Sequence, residues 1–390
     1  MGARIMSIGV IGYGMRGGDQ LPLGSGAVIA AVADPDRRAL QRAALRFGSR
    51  VRLDEDYRRL LDLPLDAVVI ATPDDTHVQI AVESLSRGIP VFVEKPLATT
   101  TDGADQVLRA AMETGTKLYV GHNMRFTPVF VEMRRLIREG AIGRVRTIWC
   151  RHFVGHGGDF YFRDWHAERD RTTSLLLQKA SHDIDVIHWL AGGVSRRVQA
   201  MGRLMVYGDR PRRAPGEAVG EMFDPINHWP PTQVSGLNPT IDVEDVSLVN
   251  MELSNGVLAA YQQCHFTPDY WRNFTVIGDE GRIENFGDGG EETATLKLWR
   301  KRSNYREDAD LIVEFPPEEG VHGGDDERVW ADFLEYVRNG TSTTVSPLGA
   351  REAVATGVAA TESLRSGGRI VEVPAPDADL TDYFVAQEDS

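Results

Sequence analysis

The stretch GVIGYGMRGG, residues 9–18, decides the fold of this chain. It holds the motif Gly12-x-Gly14-x-x-Gly17, which ends a β-rich run and is predicted to open a helix, and Asp34 ends the next predicted strand. In a βαβ unit such glycines permit a tight turn and let the backbone approach a pyrophosphate, and the acidic residue accepts hydrogen bonds from ribose hydroxyls. The stretch therefore predicts a dinucleotide-binding site.

Strands and helices continue to alternate as far as about residue 124. Because strands joined by crossover helices pair in parallel, this pattern predicts an α/β domain over residues 1–124, with a parallel sheet covered on both faces. The predicted strands are residues 4–12, 28–34, 66–73, 90–96 and 117–123, and the predicted helices are residues 37–48, 76–88 and 103–115.

The pattern changes from residue 125 onward. A helix at 127–140 precedes a strand at 144–155, and the tripeptide SNG at 254–256 predicts a hairpin between two alternating runs. We predict a second α/β domain over residues 125–390, with a large, open, mostly antiparallel sheet. Helices are predicted at 325–339 and 348–366, a long loop at 209–241, and partial disorder in the acidic tail, residues 374–390.

Composition restricts the class of partner. The chain has 390 residues and 57 acidic against 43 basic side chains, for a net charge of −14, which argues against binding to nucleic acid or to an anionic membrane. The two cysteines, Cys150 and Cys264, form neither a disulfide framework nor a metal-ligand spacing, so no metal is expected. With no signal-peptide pattern and no membrane-length apolar run, we expect a cytoplasmic protein with a small, uncharged ligand.

Six motifs, in order, resemble those of the glucose–fructose oxidoreductase, inositol dehydrogenase and rhizopine catabolism (Gfo/Idh/MocA) family. The resemblance spans residues 5–195 and continues through DVEDVSLVNMELSNGVLAAY and VIGDEGRIE. It implies an N-terminal Rossmann domain and a C-terminal domain whose open sheet covers the active site, and a homodimer or homotetramer. The motifs are GVIGYGMRG, VADPD, ATPDDTHVQIAVESLSRGIPVFVEKPLA, GHNMRFTPVF, EGAIGRV and SHDIDVIHWLAG.

The resemblance also implies an activity, hydride transfer between NAD(P) and a ring carbon of a sugar or cyclitol. Lys95, in a Glu-Lys-Pro motif, would contact cofactor and substrate, and His182 would act as acid and base on the substrate hydroxyl. The chemistry agrees, because a histidine can exchange that proton near neutral pH and an ammonium can stabilise the developing alkoxide. Asp34 repels a 2′-phosphate and favours NAD, although Arg37 and Arg38 lie close enough to leave NADP open.

The remaining site residues are implied in the same way. Residues expected at the cofactor are Gly12, Tyr13, Gly14, Met15, Arg16, Gly17, Asp34, Thr72, Pro73, His77, Glu94, Lys95 and Asn123. Residues expected at the substrate are Gln178, Asn123, Arg125, His156, Tyr161, Trp165 and Asp185.

The segment LLLQKASHDIDVIHWL, residues 175–190, is predicted as one helix with Gln178 and His182 on the same face. The family often has Asp where this chain has Gln178, and an amide can only donate and accept hydrogen bonds. Either Gln178 binds a substrate hydroxyl while His182 does the acid–base work, which we favour, or Lys179 alters the site. Asp183 is expected to be solvated or paired with Lys179.

Residues 151–170 are rich in His and aromatic side chains, which suits a polyol-binding mouth and equally suits a loop whose aromatics anchor it to the core. Three functions remain at this point. The leading one is an NAD-dependent dehydrogenase, the second a redox-neutral lyase or hydrolase with a retained NAD, and the third a non-catalytic dinucleotide sensor. The presence of both Lys95 and His182 counts against the sensor.

Overall fold

A computed structural model describes residues 4–18, 20–21, 26–155, 157–219, 229–290, 292–320 and 322–388. The chain divides into two compact units, one formed by Met1–Asn123, Gly320–Arg351 and Pro376–Ser390, the other by Met124–Glu319 and Glu352–Ala375. The first division lies one residue from the predicted boundary, but residues 320–351 and 376–390 join the first unit instead of the second. The ring of Phe333 shows why, because it packs edge-on against Phe92 and Tyr119, with centroids 5.4 and 5.6 Å away.

The first unit contains the predicted parallel sheet. Its strands are β1 (Met6–Ile11), β2 (Ala27–Ala33), β3 (Arg52–Asp54), β4 (Ala67–Ile70), β5 (Val91–Val93) and β6 (Leu118–Val120). Their order is β3-β2-β1-β4-β5-β6, and every pair is parallel. The helices that accompany them are α1 (Arg37–Phe47), α2 (Tyr57–Leu61), α3 (His77–Leu85) and α4 (Thr101–Thr114).

The segment after the glycine motif differs from the prediction. Residues 14–18 form turns, and among the described residues between β1 and β2 there is no helix. The next residues, Gly18 to Gly26, include Pro22 and Gly24, which disfavour a continuous helix. The turn is closed instead by backbone hydrogen bonds from Gln20 to Met15 and from Leu21 to Gly18.

The second unit is built on the predicted open sheet. Its strands are β7 (Val145–Val154), β8 (Ser195–Arg203), β9 (Val246–Leu253), β10 (Leu258–Cys264), β11 (Tyr270–Gly278), β12 (Arg282–Phe286), β13 (Ala294–Trp299), β14 (Leu311–Phe315) and β15 (Val371–Glu372). Their order is β14-β13-β12-β11-β7-β10-β9-β8-β15, and only β7 with β10 is parallel. The predicted hairpin is confirmed, because β9 pairs antiparallel with β10 across Ser254–Gly256.

Helices α5 and α9 pack together and against this sheet. The core between them is apolar and includes the fully buried side chains of Phe130, Met133, Ile187 and Phe274. The helices of this part of the chain are α5 (Pro128–Arg138), α6 (Phe160–Arg163), α7 (Arg169–Thr172), α8 (Leu175–Gln178) and α9 (Ser181–Ala191). Among the described residues, no helix combines the length and the apolar character needed to cross a membrane.

The segment 175–190 is not one helix. Helix α8 ends at Gln178 and α9 begins at Ser181, with Lys179 and Ala180 between them. The backbone N–H of Ala180 bonds to the oxygen of Leu175, five residues earlier, so the regular four-residue spacing is lost at this point. The prediction of one continuous helix over residues 175–190 was therefore wrong.

The C-terminal helices are α10 (Asp325–Asn339), α11 (Pro347–Arg365) and α12 (Ala378–Glu388). Within the tail predicted to be partly disordered, Ala378–Glu388 form helix α12. Leu380 and Phe384 are buried where α12 packs on α4, and Asp377 forms an ion pair with Arg109 of α4. The buried side chains of Leu380 and Phe384 anchor this short acidic segment.

Candidate functional site

The glycine motif has the geometry of a tight turn. Gly12 has φ of +88°, and a Cβ there would lie 2.6 Å from the oxygen of Ala71. A Cβ on Gly17 would collide with the oxygen of Gly12. Around Gly14, by contrast, no atom of the described residues other than its chain neighbours lies within 4 Å of the position a Cβ would take, so the backbone there faces open space. Two of the three glycines thus form the turn, and the third leaves room for a ligand.

Asp34 is held beside this turn. One carboxylate oxygen accepts a 2.7 Å hydrogen bond from the backbone N–H of Tyr13, and the other accepts one of 2.7 Å from the N–H of Asp36. The ring of Tyr13 itself is buried against Phe47, whereas Met15 is partly exposed. Asp34 is therefore fixed in position, as a ribose-binding carboxylate must be.

Arg16, expected at the cofactor, forms an ion-pair network within the first unit. Its guanidinium donates to Glu94 at 2.8 and 3.0 Å and to Asp326 at 2.7 Å. Asp326 is buried and also accepts a hydrogen bond of 2.9 Å from the amide of Asn123. Burial would lower the pKa of Arg16, but the two carboxylates outweigh it and raise that pKa. The network joins the glycine turn to the end of β5 and the start of α10.

Lys95 directly follows Glu94 at the end of β5, and its peptide bond to Pro96 is cis. The buried ring of His77 contacts two carbonyl oxygens, that of Pro96 at 2.8 Å and that of Thr72 at 2.9 Å. His77 thus holds the Thr72–Pro73 segment and the Lys95–Pro96 segment together. We therefore interpret His77 as a positioning residue.

A buried carboxyl that the sequence did not indicate, Asp74, lies within electrostatic range of Lys95. Burial raises the pKa of Asp74 to about 8, against the opposing attraction of Lys95. In the sequence Asp74 is only one of two loop acids in TPDDTH, so no signal distinguished it. Its protonation state can influence Lys95 within the neutral pH range.

The second unit carries Gln178, Lys179 and His182 at the break between α8 and α9. Gln178 is buried and ends α8, while Lys179 and His182 are partly buried. The side chain of Lys179 extends over the ring of Tyr161, with its ammonium nitrogen 5.6 Å from the ring centroid. Polar side chains of three kinds are therefore concentrated at one interruption of the helix.

Asp183 has an environment opposite to the one expected. It is fully buried, forms an ion pair of 2.9 Å with Arg272, and accepts 2.9 Å hydrogen bonds from His152 and Tyr261. Burial alone would raise the pKa of Asp183, but Arg272 and His152 hold it well below its usual value. The prediction that Asp183 is solvated or paired with Lys179 was wrong, because a charged residue on the apolar face of α9 needs a buried partner.

Arg272 extends this network. Its guanidinium donates to Asp288 at 2.7 Å, and Tyr270 donates to the same oxygen at 2.7 Å. Burial and the neighbouring Arg272 lower the pKa of His152 to about 4, so its ring is neutral at pH 7 and donates to Asp183. A charged side chain within the apolar run YWRNFTVIG was the only sequence signal for this cluster.

Arg125 and Asp185, both expected at the substrate, bind one another. Two hydrogen bonds of 2.7 and 2.8 Å join the guanidinium to the carboxylate, in a bidentate arrangement. Of the predicted mouth, Tyr161 lies in α6 and Trp165 stacks on His166 with ring centroids 3.8 Å apart. His156 lies outside the described residues.

Two domain models of one protein family match the chain. The model described as "Oxidoreductase family, NAD-binding Rossmann fold" matches residues 6–122, and the model "Oxidoreductase family, C-terminal alpha/beta domain" matches residues 134–373. Both carry the GFO/IDH/MocA designation. The two matches follow the parallel sheet and the open sheet described above.

Individual relatives agree with these matches. Inositol 2-dehydrogenase 2 of Saccharopolyspora erythraea is 37% identical over 193 residues, which cover 48% of this chain and only 54% of the relative. An inositol 2-dehydrogenase of Salmonella agona is 28% identical over 319 residues, 80% of each chain. A levoglucosan dehydrogenase in complex with NADH has the same fold, with a TM-score of 0.76 at 22% identity over 95% of this chain and 100% of that one.

Proposed function

The chain belongs to the Gfo/Idh/MocA oxidoreductase family, and on that basis we propose that it transfers hydride between NAD and a ring secondary alcohol of a sugar, cyclitol or glycoside. The observation that carries this proposal is the presence of both Lys95, at the end of β5 beside the glycine turn's ion-pair network, and His182, near the start of α9. A dinucleotide sensor would need neither side chain.

The first unit fits NAD. Both oxygens of Asp34 already accept one backbone hydrogen bond each, and a carboxylate oxygen has a second lone pair with which to accept a ribose hydroxyl. The same negative charge repels the 2′-phosphate of NADP. Arg37 is exposed and pairs with Glu55 at 2.6 Å, so part of its positive charge is already balanced. Gly12 and Gly17 shape the turn and Gly14 would leave room for the pyrophosphate, and NAD, when bound, would supply the hydride acceptor.

Side chains of this protein could take up the proton that the substrate hydroxyl loses during oxidation. In the proposed reaction a ring nitrogen of His182 would take up the substrate's hydroxyl proton, and the ammonium of Lys95 would stabilise the negative charge that develops on the oxygen. Gln178, whose amide carries no charge, is assigned to hydrogen bonding with the substrate. Arg125 and Asp185 fix one another and so support the site around His182 rather than react.

The test is to incubate the protein with NAD or NADP and a panel of cyclitols, free sugars and glycosides while following the absorbance of NADH or NADPH. We expect net reduction of NAD with at least one polyol, and a lower Kd for NAD than for NADP. Consumption of a glycoside without net absorbance change would support the redox-neutral alternative instead. Tight NAD binding with no conversion of any panel member would favour the sensor.

A further inference from the structure

The ammonium of Lys179 is placed at the site without an oxygen partner. Within the described residues it forms no hydrogen bond and no ion pair, and it lies over the ring of Tyr161, 5.6 Å from the ring centroid. A partly buried ammonium without an acceptor in the protein keeps its hydrogen-bond donors available for a ligand. Such a group is suited to donate a hydrogen bond to a ligand oxygen.

A second polar group without a hydrogen-bond partner for its side chain in the described part of the chain, His265, also lies against Tyr161. The imidazole of His265 is fully buried, its centroid lies 5.2 Å from that of the Tyr161 ring, and neither ring nitrogen has a hydrogen-bond partner within the described residues. Its backbone groups, by contrast, are bonded to Asp245 and Tyr207. Burial holds the pKa of His265 well below its ordinary value, so the neutral ring can both donate and accept.

The charges around Lys179 determine which ligand suits it. Burial and Arg272 lower the pKa of Lys179 to about 8, so it is mainly protonated at pH 7. With His152 and His265 neutral, the positive charges of Lys179 and Arg272 balance two carboxylates, and no net positive charge remains to attract an acid. The groups that surround the ammonium are Asp183 of α9, Arg272 of β11, Asp288 after β12, His152 of β7, His265 after β10 and Tyr161 of α6.

We propose that Tyr161, Lys179 and His265 form a subsite for neutral hydroxyl groups of the substrate, in which Lys179 donates a hydrogen bond to one oxygen and His265 pairs with another. The proposal rests on the proposed function, because its ligand is the sugar or cyclitol that the enzyme oxidises. The subsite proposal goes further because it names side chains that bind the part of the substrate ring that lies far from the reacting carbon. Lys179 in this position takes over the binding role that a charged residue at position 178 could have had.

The test compares Lys179→Met and Lys179→Arg with the wild type, using the panel polyol that the wild type oxidises best. At pH 7, Lys179→Met should raise KM for the polyol about 10- to 100-fold, as expected for a lost hydrogen bond from a charged donor. KM for NAD should be unchanged. Lys301→Met, which alters an exposed lysine of the same unit, is the matched control and should leave every parameter unchanged.

The pH dependence supplies an independent measurement. In the wild type KM for the polyol should rise above about pH 8, since only protonated Lys179 carries the extra donor and charge. Lys179→Arg should keep a low KM and lose this rise, because an arginine stays protonated. His265→Phe should raise KM without changing the pH dependence.

The outcomes distinguish failure of the subsite from failure of the proposed function. If the wild type oxidises a polyol and Lys179→Met keeps the same KM and pH profile, the subsite is wrong and the proposed function stands. A Lys179→Met protein that does not bind NAD would be misfolded, and the wild-type and Lys179→Arg profiles then decide. If the wild type oxidises no panel member, the proposed function fails and the subsite fails with it.

Discussion

Two adjacent residues of α9, His182 and Asp183, have different environments. His182 is partly exposed near the start of the helix, whereas Asp183 is fully buried and committed to Arg272, His152 and Tyr261. A carboxylate with three such partners cannot readily take up a proton. Asp183 therefore supports the structure, and the proposed function leaves proton transfer to His182.

His182→Ala should lower turnover by about 10²- to 10⁴-fold, the usual range for loss of a general acid–base group. The Kd for NAD should not change, because the residues that fit NAD belong to the first unit. Turnover is measured by NADH formation and Kd by titration. Gln178→Ala serves as the comparison and should mainly raise KM for the polyol. Near-normal turnover by His182→Ala would move the base to Lys95 or Lys179.

Asp183→Asn should lower the free energy of unfolding by about 3–5 kcal/mol at pH 7, because it removes one partner of a buried ion pair. The pKa of Asp183 is lowered in the folded protein, so its contribution is complete above the unfolded value of about 4 and is lost as the pH falls below it. The gap between wild type and variant in urea denaturation should therefore close in acid.

Asp279→Asn is the matched control for this change. Asp279 pairs with Arg146 on the exposed surface of the same unit, where a salt bridge contributes about 0–1 kcal/mol. Equal losses for the two variants would contradict the view that burial makes the Asp183 pair important.

At the scale of elements, the sequence predicted α1, α10 and α11 to within a residue of their ends, but it did not predict the strands β3, β8, β14 and β15. The runs that became β4 and β5, which were predicted, are continuously apolar, and such runs suit a parallel sheet covered on both faces. The helix expected after Gly17 and the continuous helix at 175–190 were both wrong. In the second case the apolar spacing persists across Lys179 and Ala180, so only the backbone bond from Ala180 to Leu175 reveals the break.

The glycine turn depends on side chains distant in sequence. Arg16 bonds to Glu94 and to Asp326, and no spacing rule connects position 16 with position 326. Arg16→Met would leave these two carboxylates close together without their cation. It should lower the free energy of unfolding by about 2–3 kcal/mol, the cost of lost hydrogen bonds to charged groups. It should also weaken NAD binding, because the turn loses its anchor.

Both effects can be measured by urea denaturation and by NAD titration. Arg37→Met is the control, since Arg37 is exposed and its pair with Glu55 should contribute at most about 1 kcal/mol. Unchanged NAD affinity in Arg16→Met would show that the turn holds its conformation without the ion pairs.

At the scale of the whole molecule, the sequence predicted two α/β parts and the division near residue 124. It did not predict that residues 320–351 and 376–390 would return to the first unit. The local apolar spacing predicted α10 as a helix. The ring of Phe333 in α10, however, packs against Phe92 and Tyr119, which lie more than two hundred residues earlier. Contacts of that sequence separation leave no periodic trace in one sequence.

The open sheet of the second unit has an exposed face with apolar side chains. Trp149 of β7, Met201 of β8, Leu248 of β9 and Leu258 of β10 are each 43 to 66% exposed. Met201 and Leu248 are direct cross-strand neighbours, so they lie on the same face. Apolar side chains grouped in this way on four strands are typical of a surface that is covered in an assembly.

We expect this face to join copies of the chain into a homodimer or homotetramer. Light scattering at micromolar concentration should give about two or four times the 43.2 kDa of one chain. The double change Trp149→Glu and Leu248→Glu should shift the mass toward the monomer, because burying two carboxylates without partners is costly. Leu45→Glu, on an exposed position of α1, is the control and should leave the mass unchanged. A wild type of monomer mass would contradict the prediction, and an oligomer that withstands the double change would place the interface on another surface.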